Sequence, residues 1–245
     1  MCEQKTVFIA GASGAIGRQL SKILVNDGWR VVGTTRTAGK TAMMKELGVE
    51  PVIVDVFDEN KLAQAVREAQ PEVVIHQLTD LPYGLDPELM EAALVRNAIL
   101  REVGTRNLVA AACAAGAKRL IAQSIAFVFE PGPTPFTEES PLLNFEDPGY
   151  GPTSRAVANL EQQVMDAPLD GLVLRYGLIY GPGTGFDSPL TEIAATVHVD
   201  AAAHAARLAI TNGTRGIYNV TDPDERVSSR KAEETFGWTA DFRAS

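Results

Sequence analysis

The chain has 245 residues, 45% of them hydrophobic and 22% charged, with a formal net charge of −9. This is the composition of a water-soluble globular protein long enough to bury one substantial core; the acidic balance argues against a nucleic-acid-coating surface, and no apolar run reaches membrane-spanning length. Two cysteines, Cys2 and Cys113, give neither a disulfide framework nor metal-ligand spacing, and Met1 to Lys5 is too short for a signal peptide, so a cytoplasmic protein without a metal site is expected.

The first apolar run, 6–10, leads into Gly11-Ala12-Ser13-Gly14-Ala15-Ile16-Gly17 and then an amphipathic segment, 15–27, that Gly28 closes. The pattern predicts strand, tight turn and helix. Gly11 lets the chain leave the strand in a conformation that a Cβ opposes. Gly14 removes a side chain where phosphates could approach the backbone, and Gly17 lets the helix pack close to the strand. The free N–H groups of the helix start, from Ala15 and Ile16 on, favour a pyrophosphate.

Further along, 30–35 is β-branched and reads as a strand ending at Arg36; 41–47 is a short helix; 52–54 is a third strand closed by Asp55-Val56. A helix over 59–70 turns Leu62, Ala65, Val66 and Ala69 inward and stops at Pro71. Residues 73–76 form a fourth strand. Residues 87–115 are helical, in one or two pieces, with Cys113 on a core-like face and Gly116 at the end. A fifth strand covers 119–122, a Pro-, Gly- and acid-rich loop 129–151, and a helix 153–165. A sixth strand follows at 171–175, a helix at 199–211, a last strand at 216–220, and a short polar tail from Asp222.

Strands alternating with helices predict an α/β, Rossmann-type doubly wound parallel sheet in a single domain over 1–245. Ligands of such sheets bind at the carboxyl ends of the strands. Arg36, Asp55, the stretch His76-Gln77-Leu78-Thr79, and Gln123-Ser124 all fall there.

These residues resemble the extended short-chain dehydrogenase/reductase superfamily, in its NAD(P)-dependent epimerase/dehydratase branch. The resemblance rests on the glycine turn, on Asp55-Val56, on Gly104-Thr105-Arg106-Asn107-Leu108, on Leu174-Arg175-Tyr176-Gly177-Leu178-Ile179-Tyr180-Gly181-Pro182-Gly183, on His198-Val199-Asp200 and on Ile217-Tyr218-Asn219-Val220. It implies cofactor contacts from Gly11, Ser13, Gly14, Ala15, Ile16 and Gly17. It also implies contacts from Asp55 and Val56 at the adenine, and from Gln77, Leu78, Tyr176, Gly177 and Ile179. Only 184–197 separates the Gly-Pro-Gly and His-Val-Asp motifs, so the substrate lobe, built from about 181–198 and 222–245, is expected to be small and its substrate smaller than a nucleotide-sugar. Arg175 and Tyr176 read equally as cleft residues or as a buried structural pair.

The second strand ends in Arg36 where an NAD-binding chain carries a carboxylate for the ribose hydroxyls; an arginine suits a 2′-phosphate. NADP is therefore favoured, with NAD left open, and Ser13, Thr35, Arg18 or Lys40 could assist. Arg36 as a solvated surface residue and Asp55 as a turn aspartate are the plainer alternatives.

In the family a Tyr, supported by a Lys four residues later, exchanges a proton while hydride moves, and a Ser or Thr orients the substrate oxygen. Tyr150 and Ser124 are the candidates. Ser154 stands where the family has Lys, with Arg155 one place on, and Arg101 stands where it often has Asn. Two readings follow. One is an NADP-dependent oxidoreductase or epimerase-like enzyme acting on a hydroxyl or carbonyl of a small or sugar-like molecule. The other is a non-catalytic NAD(P)-binding, redox-sensing or regulatory protein. Apolar positions over 87–115 suit a homodimer face as well as a core.

Overall fold

The computed structural model describes residues 4–244; Cys2 lies outside them. Its elements, in order, are β1 (Thr6–Ala10), α1 (Ala15–Asn26), β2 (Arg30–Thr35), α2 (Thr41–Glu46), β3 (Glu50–Ile53), α3 (Glu59–Ala69), β4 (Val73–His76) and α4 (Pro87–Ile99). A π-helical turn (Leu100–Gly104) then leads directly into α5 (Thr105–Ala114). The remainder is β5 (Arg119–Ile125), α6 (Gly151–Asp166), β6 (Asp170–Tyr176), β7 (Leu178–Tyr180), β8 (Thr196–His198), α7 (Val199–Leu208), β9 (Gly216–Val220) and α8 (Arg230–Phe236).

Seven strands pair in parallel in the order 3-2-1-4-5-6-9. β1, β4 and the centres of β5 and β6 are buried on both faces, which is why they read as continuous apolar runs rather than alternating ones. One face is covered by α1 and α7, where Leu20 and Leu24 meet the alanine stripe Ala201 to Ala206; the other is covered by α3, α5 and α6 around Leu62, Val66, Leu108 and Leu160. The strand order reverses between β1 and β4, so a crevice opens at their carboxyl ends.

The expected fold is the observed one, with local differences. β3 begins two residues earlier than the pattern suggested and contains Pro51. It is the outer strand of the sheet, where a residue without an N–H costs no ladder bond. β7 and β8 form a separate two-stranded parallel unit. The tail is not simply polar: it holds α8 and buries Trp238, whose indole N–H donates to the Ala201 carbonyl at 2.8 Å. Cys113 is half-buried against the second core, and burial pushes its thiol up. Among the described residues no helix is long and apolar enough to cross a membrane.

Candidate functional site

The glycine turn is built as its spacing demands. Gly11 has φ +92°, and a Cβ there would stand 2.5 Å from the Gln77 carbonyl oxygen, so both conformation and space require glycine. Its N–H donates to Thr34 Oγ1 at 3.1 Å. A Cβ on Gly17 would fall on the Gly11 carbonyl oxygen. Gly14 caps α1 without any side-chain bond, and no acidic residue occupies the first turn. The N–H groups around Ala15 and Ile16 and the positive helix end are thus left for a ligand, which fits a pyrophosphate.

The crevice beside this turn is walled by Gly11, Ser13, Gly14, Thr35, Arg36, Thr37, Lys40, Val56, Gln77 and Leu78, with Val54, Leu62 and Leu100 as an apolar slot. No carboxylate lines it among the described residues. The Arg36 side chain is 51% exposed, and its Nη1 lies 3.3 Å from Asp80 Oδ2, an oxygen also 3.6 Å from Arg96 Nε. The Ser13 hydroxyl donates to Thr35 Oγ1 at 3.3 Å. Of the Asp55-Val56 pair, Val56 faces the crevice; the Asp55 carboxylate accepts the Phe57 N–H at 3.0 Å in a local turn. The residues fit a dinucleotide.

Three expected cofactor residues lie behind this wall. Tyr176 is buried, and its hydroxyl accepts from Gln77 Nε2 at 3.4 Å; burial holds the phenol well above its usual range. Gly177 sits where a Cβ would meet the Thr196 carbonyl, and Ile179 packs from β7 against the α1–α7 core. These residues join the β7–β8 unit to the sheet.

Ser124 is 4% exposed, and its hydroxyl donates to Glu161 Oε1 at 2.8 Å. Arg175 Nε and Nη2 donate to Glu161 Oε1 and Oε2 at 2.8 and 2.7 Å, and Arg175 Nη1 to the Glu138 carbonyl at 3.3 Å. Arg175 is therefore a buried structural residue, and the Ser124 proton is engaged within the same cluster. Tyr150 stands at the head of α6, 57% exposed, with its N–H donating to Asp147 Oδ1 at 2.7 Å. Ser154 is fully buried and donates to the Leu143 carbonyl at 2.7 Å; Arg155 turns outward to Glu146 at 2.7 Å.

Nearby, His76 is buried with Nε2 3.0 Å from Thr105 Oγ1, and its Nδ1 accepts the Leu78 N–H at 3.3 Å. That acceptance assigns the ring proton to Nε2. Burial lowers the imidazole to about 4, and the Arg101 charge adds to the effect. Arg101, on the π-helical turn, is 8% exposed; burial lowers its guanidinium to about 10, against the pull of Glu161. Glu161 was missed by sequence reasoning, although one signal pointed to it: a carboxylate on the inward stripe of a predicted helix needs a partner. Beyond the carboxyl end of β5, Phe127, Phe129, Phe136, Ile193, Ala195 and Val227 line a second, apolar pocket with Arg226 at its edge. Phe129 and Phe136 stack there at 5.0 Å. Phe129 and Phe136 come from the segment expected to be a loop, and Ile193, Ala194, Ala195, Arg226 and Val227 from the two segments expected to form the substrate lobe.

The model of the NAD dependent epimerase/dehydratase family matches residues 7–215. A 3-diazoavenalumate denitrifying reductase from Streptomyces sp is 41% identical over 239 residues, covering 89% of this chain and 76% of that protein. The sterol-4-alpha-carboxylate 3-dehydrogenase, decarboxylating, of Dictyostelium discoideum is 23% identical over 93% of this chain and 74% of its own. Among solved structures, the Thermotoga maritima UDP-glucose 4-epimerase with UDP-glucose superposes with a TM-score of 0.80 at 17% identity, over 97% of this chain and 94% of that one. The fold is the same; so low an identity carries nothing about substrate.

Proposed function

The chain belongs to the NAD dependent epimerase/dehydratase family, and from that premise we propose that it is an NADP-dependent reductase of a small aromatic substrate, with diazo compounds as the substrate class. The observation that carries this reading is at the head of α6. One helical turn after Tyr150 stands a buried serine, not a lysine, and its hydroxyl is tied to Leu143. Arg155 points to Glu146, and an arginine keeps its proton in any case. The chain thus lacks the Tyr–Lys proton relay that carbonyl reduction uses in its family.

The Gly11–Gly17 turn would hold the pyrophosphate, Arg36 and Lys40 the 2′-phosphate, and Val54, Val56 and Leu62 the adenine. When bound, the dinucleotide supplies a hydride. A diazonium carbon that takes up hydride forms a C–H bond, while the C–N bonding pair leaves with dinitrogen; no proton from the protein is consumed. The chain then need only bind, orient and exclude water. The phenylalanine-lined pocket past β5 supports an aromatic substrate. The 41% identical relative, a reductase of 3-diazoavenalumate, supports the class. Exposed Val95 and Ile99 on α4 suit a homodimer face.

The test is 4-carboxybenzenediazonium with NADPH deuterated at the transferable position. Expected are protein-accelerated NADPH oxidation, one dinitrogen per NADPH, and deuterium at C4 of the benzoate formed. A rate equal to that without protein overturns the reading. The same missing lysine supports a second reading, a non-catalytic NAD(P)-binding, redox-sensing or regulatory protein. It predicts NADPH binding without turnover of any diazo or carbonyl compound.

A further inference from the structure

Four ionisable side chains are buried together where β4, the π-helical turn, α6 and β6 meet: His76, Arg101, Glu161 and Arg175. Their charges do not cancel. His76 is neutral at physiological pH. Glu161 is a single carboxylate whose two oxygens already receive Ser124 and both arms of Arg175. Arg101 is left over. Among the described residues no hydrogen bond or ion pair engages its guanidinium, although it is nine-tenths buried and cannot shed its charge at neutral pH. None of its nitrogens is sealed from solvent, so these unclaimed donors on a largely buried cation stay reachable by an anion.

The position is next to the crevice. Leu100, the preceding residue, lines it, and His76, which feels the Arg101 charge, directly precedes the crevice residues Gln77 and Leu78. π-helical turns of this kind recur at functional sites. We propose that Arg101 is the anchor for a carboxylate group of the substrate, bound at the inner end of the dinucleotide crevice. The cluster carries one surplus positive charge, which one carboxylate neutralises and a doubly charged phosphate exceeds. A carboxylate also matches the planar guanidinium fork. The proposal rests on the crevice being the dinucleotide site, because the cofactor's phosphates are then met elsewhere, at Gly14 and Arg36.

The experiment titrates NADPH-saturated protein with cinnamate and with neutral cinnamamide, NADPH affinity being measured separately. Expected are at least tenfold tighter binding of the acid, loss of that preference in Arg101→Gln, and partial retention in Arg101→Lys, with NADPH affinity within twofold throughout. Equal binding of acid and amide by the wild type, no binding of either, or an unchanged preference in Arg101→Gln overturns the proposal. Should that variant not fold, crystals of the wild-type NADPH complex soaked with 4-bromobenzoate decide. Its carboxylate within hydrogen-bond reach of Arg101 supports the anchor, and a bromobenzoate bound elsewhere or absent overturns it. Failure to bind NADPH at all would instead strike the dinucleotide reading on which the proposal stands.

Discussion

Arg175 grips Glu161 through two hydrogen bonds of 2.8 and 2.7 Å, and both side chains are about 95% buried. The pair bolts α6 to β6. Removing the negative partner leaves the Arg175 charge uncompensated in a low-dielectric interior. Glu161→Gln is expected to destabilise the protein by about 3–5 kcal/mol, read as a lower denaturant midpoint in urea unfolding. A midpoint within error of the wild type would show that the pair is dispensable.

Arg36 and Lys40 are the cations of a crevice without a carboxylate. Charge-assisted bonds to a phosphate contribute about 1.5–3 kcal/mol. Arg36→Ala should therefore weaken NADPH binding roughly tenfold to hundredfold and leave NADH binding almost unchanged, as followed by nicotinamide fluorescence. Equal affinities of the wild type for the two cofactors would contradict the assignment.

Tyr150 separates proton-coupled from hydride-only chemistry. A general acid contributes roughly 10²–10⁴-fold. With 4-carboxybenzenediazonium, Tyr150→Phe is expected to keep kcat within about threefold, far less than loss of such an acid would cost. A collapse of kcat on that substrate would mean that a proton moves through Tyr150 after all.

His76 gives the fold a pH dependence. Its imidazole is lowered to about 4 by burial, against about 6.5 for an exposed histidine. Between those values the unfolded chain binds a proton that the folded one does not. Stability is thus intact above pH 6.5 and falls as the pH drops towards 4, by about 3 kcal/mol in all. Urea midpoints of His76→Gln should slope less over that interval than those of the wild type; parallel slopes would remove His76 as the cause.

Two glycines of one turn should behave differently. A Cβ on Gly14 would meet only the Gly11 carbonyl oxygen, at 3.3 Å, whereas one on Gly17 would overlap Gly11 and Ala12 backbone. Gly14→Ala is expected to alter stability by less than about 1 kcal/mol while weakening NADPH at least tenfold; Gly17→Ala should lower both, with a stability loss of about 1–3 kcal/mol or more. Thermal unfolding and cofactor titration of the two variants side by side distinguish ligand approach from internal packing.

The sheet and its glycine turn were legible because each rests on local chemistry: β-branched runs, and glycines at sites of positive φ or close backbone approach. What escaped depends on distant partners. Trp238 follows a seven-residue helix with no periodicity around it, and only the Ala201 carbonyl explains its burial. Pro51 reads as a breaker until the strand holding it proves to be the edge. Ser124 looks like an available hydroxyl until Glu161, 37 residues on, claims it. Arg101 registered only as a departure from a motif; its buried, surplus charge needed four elements in place. Val56 rather than Asp55 faces the crevice because the aspartate closes its own turn, which neighbouring residue types alone do not decide.

The packing of α1 against α7 has a consequence for how the chain is made. The helix that follows the glycine turn has its apolar side covered by residues synthesised much later; Arg207 meets Asp27 at a separation of 180 positions. At ribosomal speeds of about 5–20 residues per second, that interval lasts roughly 10–35 s. During it, Leu20 and Leu24 pack only on the early part of their core, Val7, Ile9, Val31, Met44 and Val49, and lack the alanine side of α7. Slow codons between the two helices would lengthen that exposure, and a circular permutation joining them early would abolish it.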